Sequence, residues 1–183
     1  MIEGLESLVE PDIKRIYISA AQVILLRPDQ EGEGEMEVLL GHRNTSSFSE
    51  QWAFFGGRKD PADADLVDTA RREAMEELGI VVERNQLFPF RESLSVLSRI
   101  VSGRIVSREI NLHSYILDAR NLTPFNAAPD EHDRIGWFGL SSALRMHEAA
   151  IALHPNVSRL DRDSIPGALA PRTAETIQYL MGI

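Results

Sequence analysis

The sequence predicts an α+β protein with an α/β/α layered core, and three observations carry that expectation. Two apolar runs early in the chain, at residues 16–26 and 37–43, have the length and β-branched content of strands joined as a hairpin. A single amphipathic segment at 66–78 follows a Gly56-Gly57 pair and stops at Gly79, which marks one helix inserted between strands. Further alternating segments at 92–100, 109–117 and 135–140 are then succeeded by two helical patterns at the C-terminal end. Strands, one crossing helix, more strands and then helices make a layered domain.

Each element has its own reason. IYISAAQVILL at 16–26 is apolar on both alternations, as a strand buried on both faces is. PDQEGEGE at 28–35 is a polar loop and EVLLGHR at 37–43 the returning strand. After a loop at 44–49, QWAFF at 51–55 is a short aromatic strand running into Gly56 and Gly57, whose missing side chains let backbone pass close to a bound group. Asp60-Pro61 makes a turn, Asp63 or Asp65 caps the helix at 66–78, and Val67, Ala70, Ala74 and Leu78 form its apolar stripe. Ser102-Gly103 turns the chain between two antiparallel strands. Ser141 opens a helix with its hydroxyl, residues 156–170 are a polar segment, and Pro171 sits in the first turn of the last helix. With no repeat or linker, the chain reads as one domain over 1–183, with an N-terminal arm at 1–15 and a helical extension at 154–183.

Composition narrows the function. A net charge of -9 argues against a nucleic-acid polymer as partner, which needs a dense cationic surface. The absence of cysteine removes disulfides, thiolate metal sites and cysteine nucleophiles. No apolar run follows a basic N-terminal region and none is long enough to span a bilayer, so the expectation is a cytoplasmic protein with no membrane partner. A homodimer is compatible with the sequence.

The chemistry concentrates in RREAMEELGI, residues 71–80. At about 100° per residue, Glu73, Glu76 and Glu77 share one sector of the helix, where like charges repel unless water or a cation intervenes. Hard divalent cations take such oxygen ligands. Glutamates on a helix are ordinarily a solvated face; the glycine pair before them, Arg72 beside them and the Gly79 stop set this helix apart. His42, His113 and His132 read as structural or exposed, and Trp52, Phe54 and Phe55 as core.

Arg72-Glu73-Ala74-Met75-Glu76-Glu77-Leu78-Gly79-Ile80 resembles the signature box of the Nudix hydrolases. Leu39-Leu40-x-x-Arg43, the aromatic strand into Gly56-Gly57, and Glu131-His132-Asp133 with Trp137-Phe138 extend the likeness over about residues 16 to 153. The spacer from Gly57 to Arg72 is one residue longer than the usual box, with Asp63 and Asp65 where a glutamate is expected. That loop resembles the coenzyme A pyrophosphatase subgroup, whose upstream Leu-Arg-x-His-x-Gly-Gln run is replaced here by SFSEQW at 47–52.

The resemblance implies a Nudix-type α/β/α sandwich with a mixed central sheet, the box lying in a loop-helix-loop. It implies a hydrolase using Mg2+ or Mn2+ to cleave a diphosphate linkage in a nucleoside diphosphate derivative such as a nucleotide sugar, a dinucleotide or coenzyme A. Catalysis falls to Glu73, Glu76, Glu77 and Arg72, metal binding to Glu73, Glu76, Glu77 and Gly57, and substrate binding to Arg43, Gly56, Gly57 and Glu131. Arg72 braces the carboxylates, Glu73 or a glutamate outside the box takes a proton, and Glu92, Glu109 and Glu131 are the outside candidates. An isomerase on the same scaffold would need a catalytic cysteine, which the chain lacks. The alternative reading is a non-catalytic nucleotide sensor or interaction module.

Overall fold

Among the described residues, seven strands form one mixed sheet: β1 (Ile13–Pro28), β2 (Met36–Arg43), β3 (Trp52–Ala53), β4 (Phe55–Arg58), β5 (Leu87–Val101), β6 (Arg104–Asp118) and β7 (His132–Gly139). The computed structural model describes residues 13–29, 34–45, 49–101, 104–155 and 165–182. The strand order is β3-β2-β1-β6-β5, with β4 also pairing β1 and β7 pairing β2. The long central strand β1 runs parallel to β6 and antiparallel to both β4, at Ala20–Val23, and β2, at Leu26–Pro28. Three helices complete the layers: α1 (Leu66–Leu78), α2 (Leu140–Leu153) and α3 (Pro171–Met181).

The sandwich follows from the pleat. Successive residues of a strand point to opposite faces, so Ala21, Val23 and Leu25 of β1 pack with Ala70, Ala74 and Leu78 of α1. Their neighbour Ile24 packs with Leu140, Ala143 and Leu144 of α2 and Ala174 and Ile177 of α3. The same division splits Leu39 from Val38 and Leu40, and Phe55 from Phe54. This is the layered fold the sequence predicts, and Trp52, Phe54 and Phe55 are all buried.

Several boundaries move. β1 starts at Ile13, inside the expected arm, because its pairing with β6 begins there. β5 begins at Leu87 rather than Glu92, with a bulge at Pro89/Arg91 where the ladder cannot use a proline N–H. The aromatic strand is interrupted at Phe54 and resumes through the two glycines to Arg58, held by Ala20–Val23 of β1. Ser141 does not cap α2. That helix begins at Leu140, and the Glu35 carboxylate, from the end of the preceding hairpin loop, accepts the Ser141 N–H at 2.5 Å. Within the expected polar segment, Ile165, Ala168 and Leu169 are buried, and Trp52 exchanges backbone hydrogen bonds with Ala168 and Ala170. Residues 1–12 of the expected arm and the Ser102-Gly103 turn lie outside the described residues, as do parts of three expected loops.

Candidate active site

Helix α1 is fixed at both ends by local chemistry. The Asp65 carboxylate accepts the N–H groups of Val67 and Asp68, and Gly79, at φ 65°, closes the other end in the left-handed region. Asp65 is therefore the cap, and Asp63 is left for a different task. Asp63 Oδ2 accepts from the Asp60 N–H and the Thr69 hydroxyl, each at 2.9 Å, and from Arg72 Nη2 at 3.1 Å. The Arg72 guanidinium holds the Asp63 carboxyl at about 2, well below its usual value.

Arg72 is the hub of the carboxylate side. Besides Asp63, its Nη1 donates to Glu73 Oε1 at 2.8 Å and Glu76 Oε2 at 2.7 Å, and its Nη2 to the Arg58 carbonyl at 2.9 Å. One guanidinium thus ties α1 to the end of β4 and to the loop between them. Glu73 and Glu77 are buried and Glu76 is exposed. Burial, then the charge of Glu77, push the Glu73 carboxyl up to about 7 against the opposing pull of Arg72. Glu77 is raised too, first by burial, with His132 opposing.

Glu77 is turned inward. Its Oε2 accepts the Gly56 N–H at 2.9 Å, and its Oε1 lies 3.6 Å from His132 Nε2, too far for a hydrogen bond. Among the described residues, neither ring nitrogen of the fully buried His132 has a hydrogen-bond partner. The two glycines serve different ends. Gly56, at φ 152°, adopts a conformation that side chains resist, and a Cβ there would lie 2.2 Å from the Ala21 carbonyl oxygen. At Gly57 a Cβ would lie 2.2 Å from Glu73 Oε1, so a bare backbone is what lets the carboxylate approach β4.

A cleft of ≈ 400 Å³ opens on the other face of the sheet. It takes Arg43 from β2, Gly56 and Gly57 from β4, Ile110 and Leu112 from β6, and the first turn of α3. Of the residues expected to bind substrate, Arg43, Gly56 and Gly57 therefore meet in one cavity. Arg43 Nη2 also donates to Thr45 Oγ1 at 3.0 Å. Glu131 does not line the cleft: it is exposed, its carbonyl accepts the Asn44 N–H at 2.8 Å, and its charge acts on Glu77 from outside. The next residue, His132, is the one that enters. Neither His132 as a neighbour of Glu77 nor the part of α3 in the cleft was legible in the sequence. The only pointer to His132 was its place beside Glu131 in the segment before Trp137-Phe138.

The three box glutamates share a helix but do not converge. Among the described residues, no three acidic or histidine side chains stand close enough to hold a metal ion. Arg72 Nη1 donates to one oxygen of Glu73 and one of Glu76, while the Glu77 carboxylate accepts the Gly56 N–H. The donor chemistry still fits a hard cation. These are oxygen ligands, with a glycine backbone against Glu73 and a carboxyl whose raised value reflects charge that burial and a neighbour leave poorly compensated.

Comparison with known proteins adds the family. The family model of the NUDIX domain matches residues 17–159. The chain belongs to the Nudix family. Among solved structures, a NUDIX hydrolase from Alicyclobacillus acidocaldarius is similar at a TM-score of 0.63 and 16% identity, over 92% of this chain and 93% of that one. A bifunctional NMN adenylyltransferase/ADP ribose pyrophosphatase from Francisella tularensis, complexed with AMP and Mn ion, matches at 0.54 and 16%, over 91% of this chain and 42% of its own. A MutT/nudix family protein from Enterococcus faecalis has a TM-score of 0.49 at 21% identity, and the Nudix chain described here, matched over 75% of its own length, spans 47% of it. At these identities the likeness is one of fold, the Nudix α/β/α sandwich. No helix among the described residues is long and apolar enough to cross a membrane.

Proposed function

We propose that this Nudix protein is a divalent-metal-dependent hydrolase that cleaves the diphosphate linkage of a nucleoside diphosphate derivative, of the nucleotide sugar, dinucleotide or coenzyme A kind. The observation that carries the reading is the placement of Gly56 and Gly57 between a buried carboxylate pair, Glu73 and Glu77, on one side and an Arg43-lined cleft on the other. A diphosphate held at the glycine backbone has its charge met by Arg43 and its reacting phosphorus within reach of the carboxylate helix.

Glu73, Glu76 and Glu77, with the Gly57 carbonyl, would hold Mg2+ or Mn2+. When bound, such an ion offsets diphosphate charge and acidifies water. A carboxylate takes the proton of the water that attacks phosphorus, either Glu73 or a glutamate outside the helix. Attack forms one P–O bond and breaks the bridging one, leaving two phosphate monoesters. Arg72 acts through Glu73 and Glu76, holding them against the end of β4 rather than touching substrate.

The experiment is hydrolysis of a panel of nucleotide sugars, dinucleotides and coenzyme A with Mg2+ or Mn2+, for the wild type and Glu73→Gln. Turnover that needs the metal and falls by about 10²- to 10⁴-fold in the variant supports the reading. Tight nucleotide binding without turnover of any member favours the non-catalytic sensor instead.

A further inference from the structure

The cleft is lined by segments remote from α1, and its chemistry is the opposite of that helix's. Its wall is aliphatic, made by Val96 of β5, Ile110 and Leu112 of β6, Ala20 of β1 and Pro171 of α3. Val96 is 57% exposed, an apolar side chain without cover beside a cavity. Several polar side chains in the lining are bonded within the protein. Gln22 Nε2 donates to Ser114 Oγ at 2.9 Å, Arg172 Nε to Ser95 Oγ at 2.9 Å, and Arg172 Nη1 to Glu175 Oε2 at 2.8 Å. The aromatic residue of the lining, Phe54, is 4% exposed and packs in the core with Ile24 and Leu40, so it presents no free ring face. A nucleobase is held by stacking and by hydrogen bonds to its edge, and the described lining offers neither in quantity. It offers aliphatic surface that continues directly from the glycine pair and Arg43.

From this we infer that the group held in the cleft is a hydrocarbon-bodied chain esterified to the diphosphate. The diphosphate lies at Gly56, Gly57 and Arg43, and the chain runs along Val96, Ile110, Leu112 and Pro171. The inference rests on the hydrolase reading for the position of the diphosphate and adds the class of group attached to it. In a nucleoside diphosphate derivative this chain is the non-nucleoside half, and the nucleoside lies outside the cleft. Each methylene buried against the wall raises affinity by about fourfold until the cleft is filled.

The test uses ADP esterified on its β-phosphorus with ethyl, butyl, hexyl or octyl groups, with ADP-ribose as comparator, and follows AMP release. Binding of the methylene-bridged, uncleavable analogues of the same esters is titrated in parallel. The expected result is a KM, and a Kd for the analogues, that fall by about fourfold per methylene through the shorter members. The slope flattens in Val96→Asp, which alters an exposed strand position, and lessens in Ile110→Ala, which shortens the wall without adding charge. A KM independent of chain length, with ADP-ribose used as well as the octyl ester, overturns the inference and leaves the hydrolase reading standing. Chain-length-dependent binding without cleavage of any ester sustains the inference and removes the hydrolase reading. Absence of both effects overturns the inference, and the hydrolase reading is then decided by the panel of dinucleotides and coenzyme A.

Discussion

The two sides of Gly56-Gly57 are built on opposite terms. On the α1 side, charge is dense: Asp63, Glu73, Glu76 and Arg72 form one hydrogen-bonded set, with Glu77 buried behind it. On the α3 side the cavity is walled by aliphatic residues, and its polar groups are turned to each other. Two carboxylates sharpen the contrast within the charged side. Asp63 and Glu77 are both buried, yet Asp63 is lowered because it accepts from Arg72, Thr69 and the Asp60 N–H, while Glu77 is raised because desolvation outweighs its one backbone hydrogen bond and the facing histidine. Desolvation prevails at Glu77, and the charged donor Arg72 prevails at Asp63.

The division of labour predicts where substitutions act. Glu76→Gln and Glu77→Gln should lower turnover by about 10²-fold or more with the fold retained, checked by steady-state rates beside circular dichroism. Arg72→Ala should cost about 3 kcal/mol in urea unfolding, since it strips buried Asp63 and Glu73 of their charged donor. Gly56→Ala, which forces a Cβ against the Ala21 carbonyl at a positive φ, should cost about 1 to 3 kcal/mol in the same assay. Smaller still, Asp65→Ala removes the α1 cap and should lower the urea midpoint slightly, with little effect on KM.

Acid titration separates the two kinds of carboxylate. A raised carboxyl contributes most stability below its unfolded value and loses it as pH rises through the folded value, so Glu73 favours the fold below 4.5 and less so toward about 7. Asp63 has the reverse sign, contributing above 3.8 and losing that contribution as pH falls through about 2. In EDTA, lowering the pH from about 7.5 to about 5 should therefore raise the thermal midpoint of the wild type by more than that of Glu73→Gln. An equal rise in both would show that Glu73 is not the buried acid described.

The charged side was open to sequence reading because it is local. Capping, the carboxylate spacing and the Gly79 stop all fall within residues 56–79, where helix periodicity carries information directly. The layered fold was open for the same reason, since each strand's alternation names its two faces. The cleft was not, because Arg43, Val96, Ile110, Leu112 and Pro171 come from four segments that only the sheet order brings together. Asp63 was misjudged as a possible cap because spacing cannot tell a cap from a partner of Arg72. Ser141 is not the cap because α2 already begins at Leu140 and Glu35, more than a hundred residues earlier, accepts the Ser141 N–H in place of a capping side chain.

The central claim is that a diphosphate sits at Gly56-Gly57 and is cut by the α1 carboxylates. Its most direct test is phosphate-ester release from a diphosphate panel by the wild type and Glu77→Gln, with Mg2+ or Mn2+ and with EDTA. The expected result is cleavage of at least one nucleoside diphosphate derivative that needs the metal and falls by about 10²-fold or more in Glu77→Gln. Cleavage at the same rate in the folded variant would contradict it.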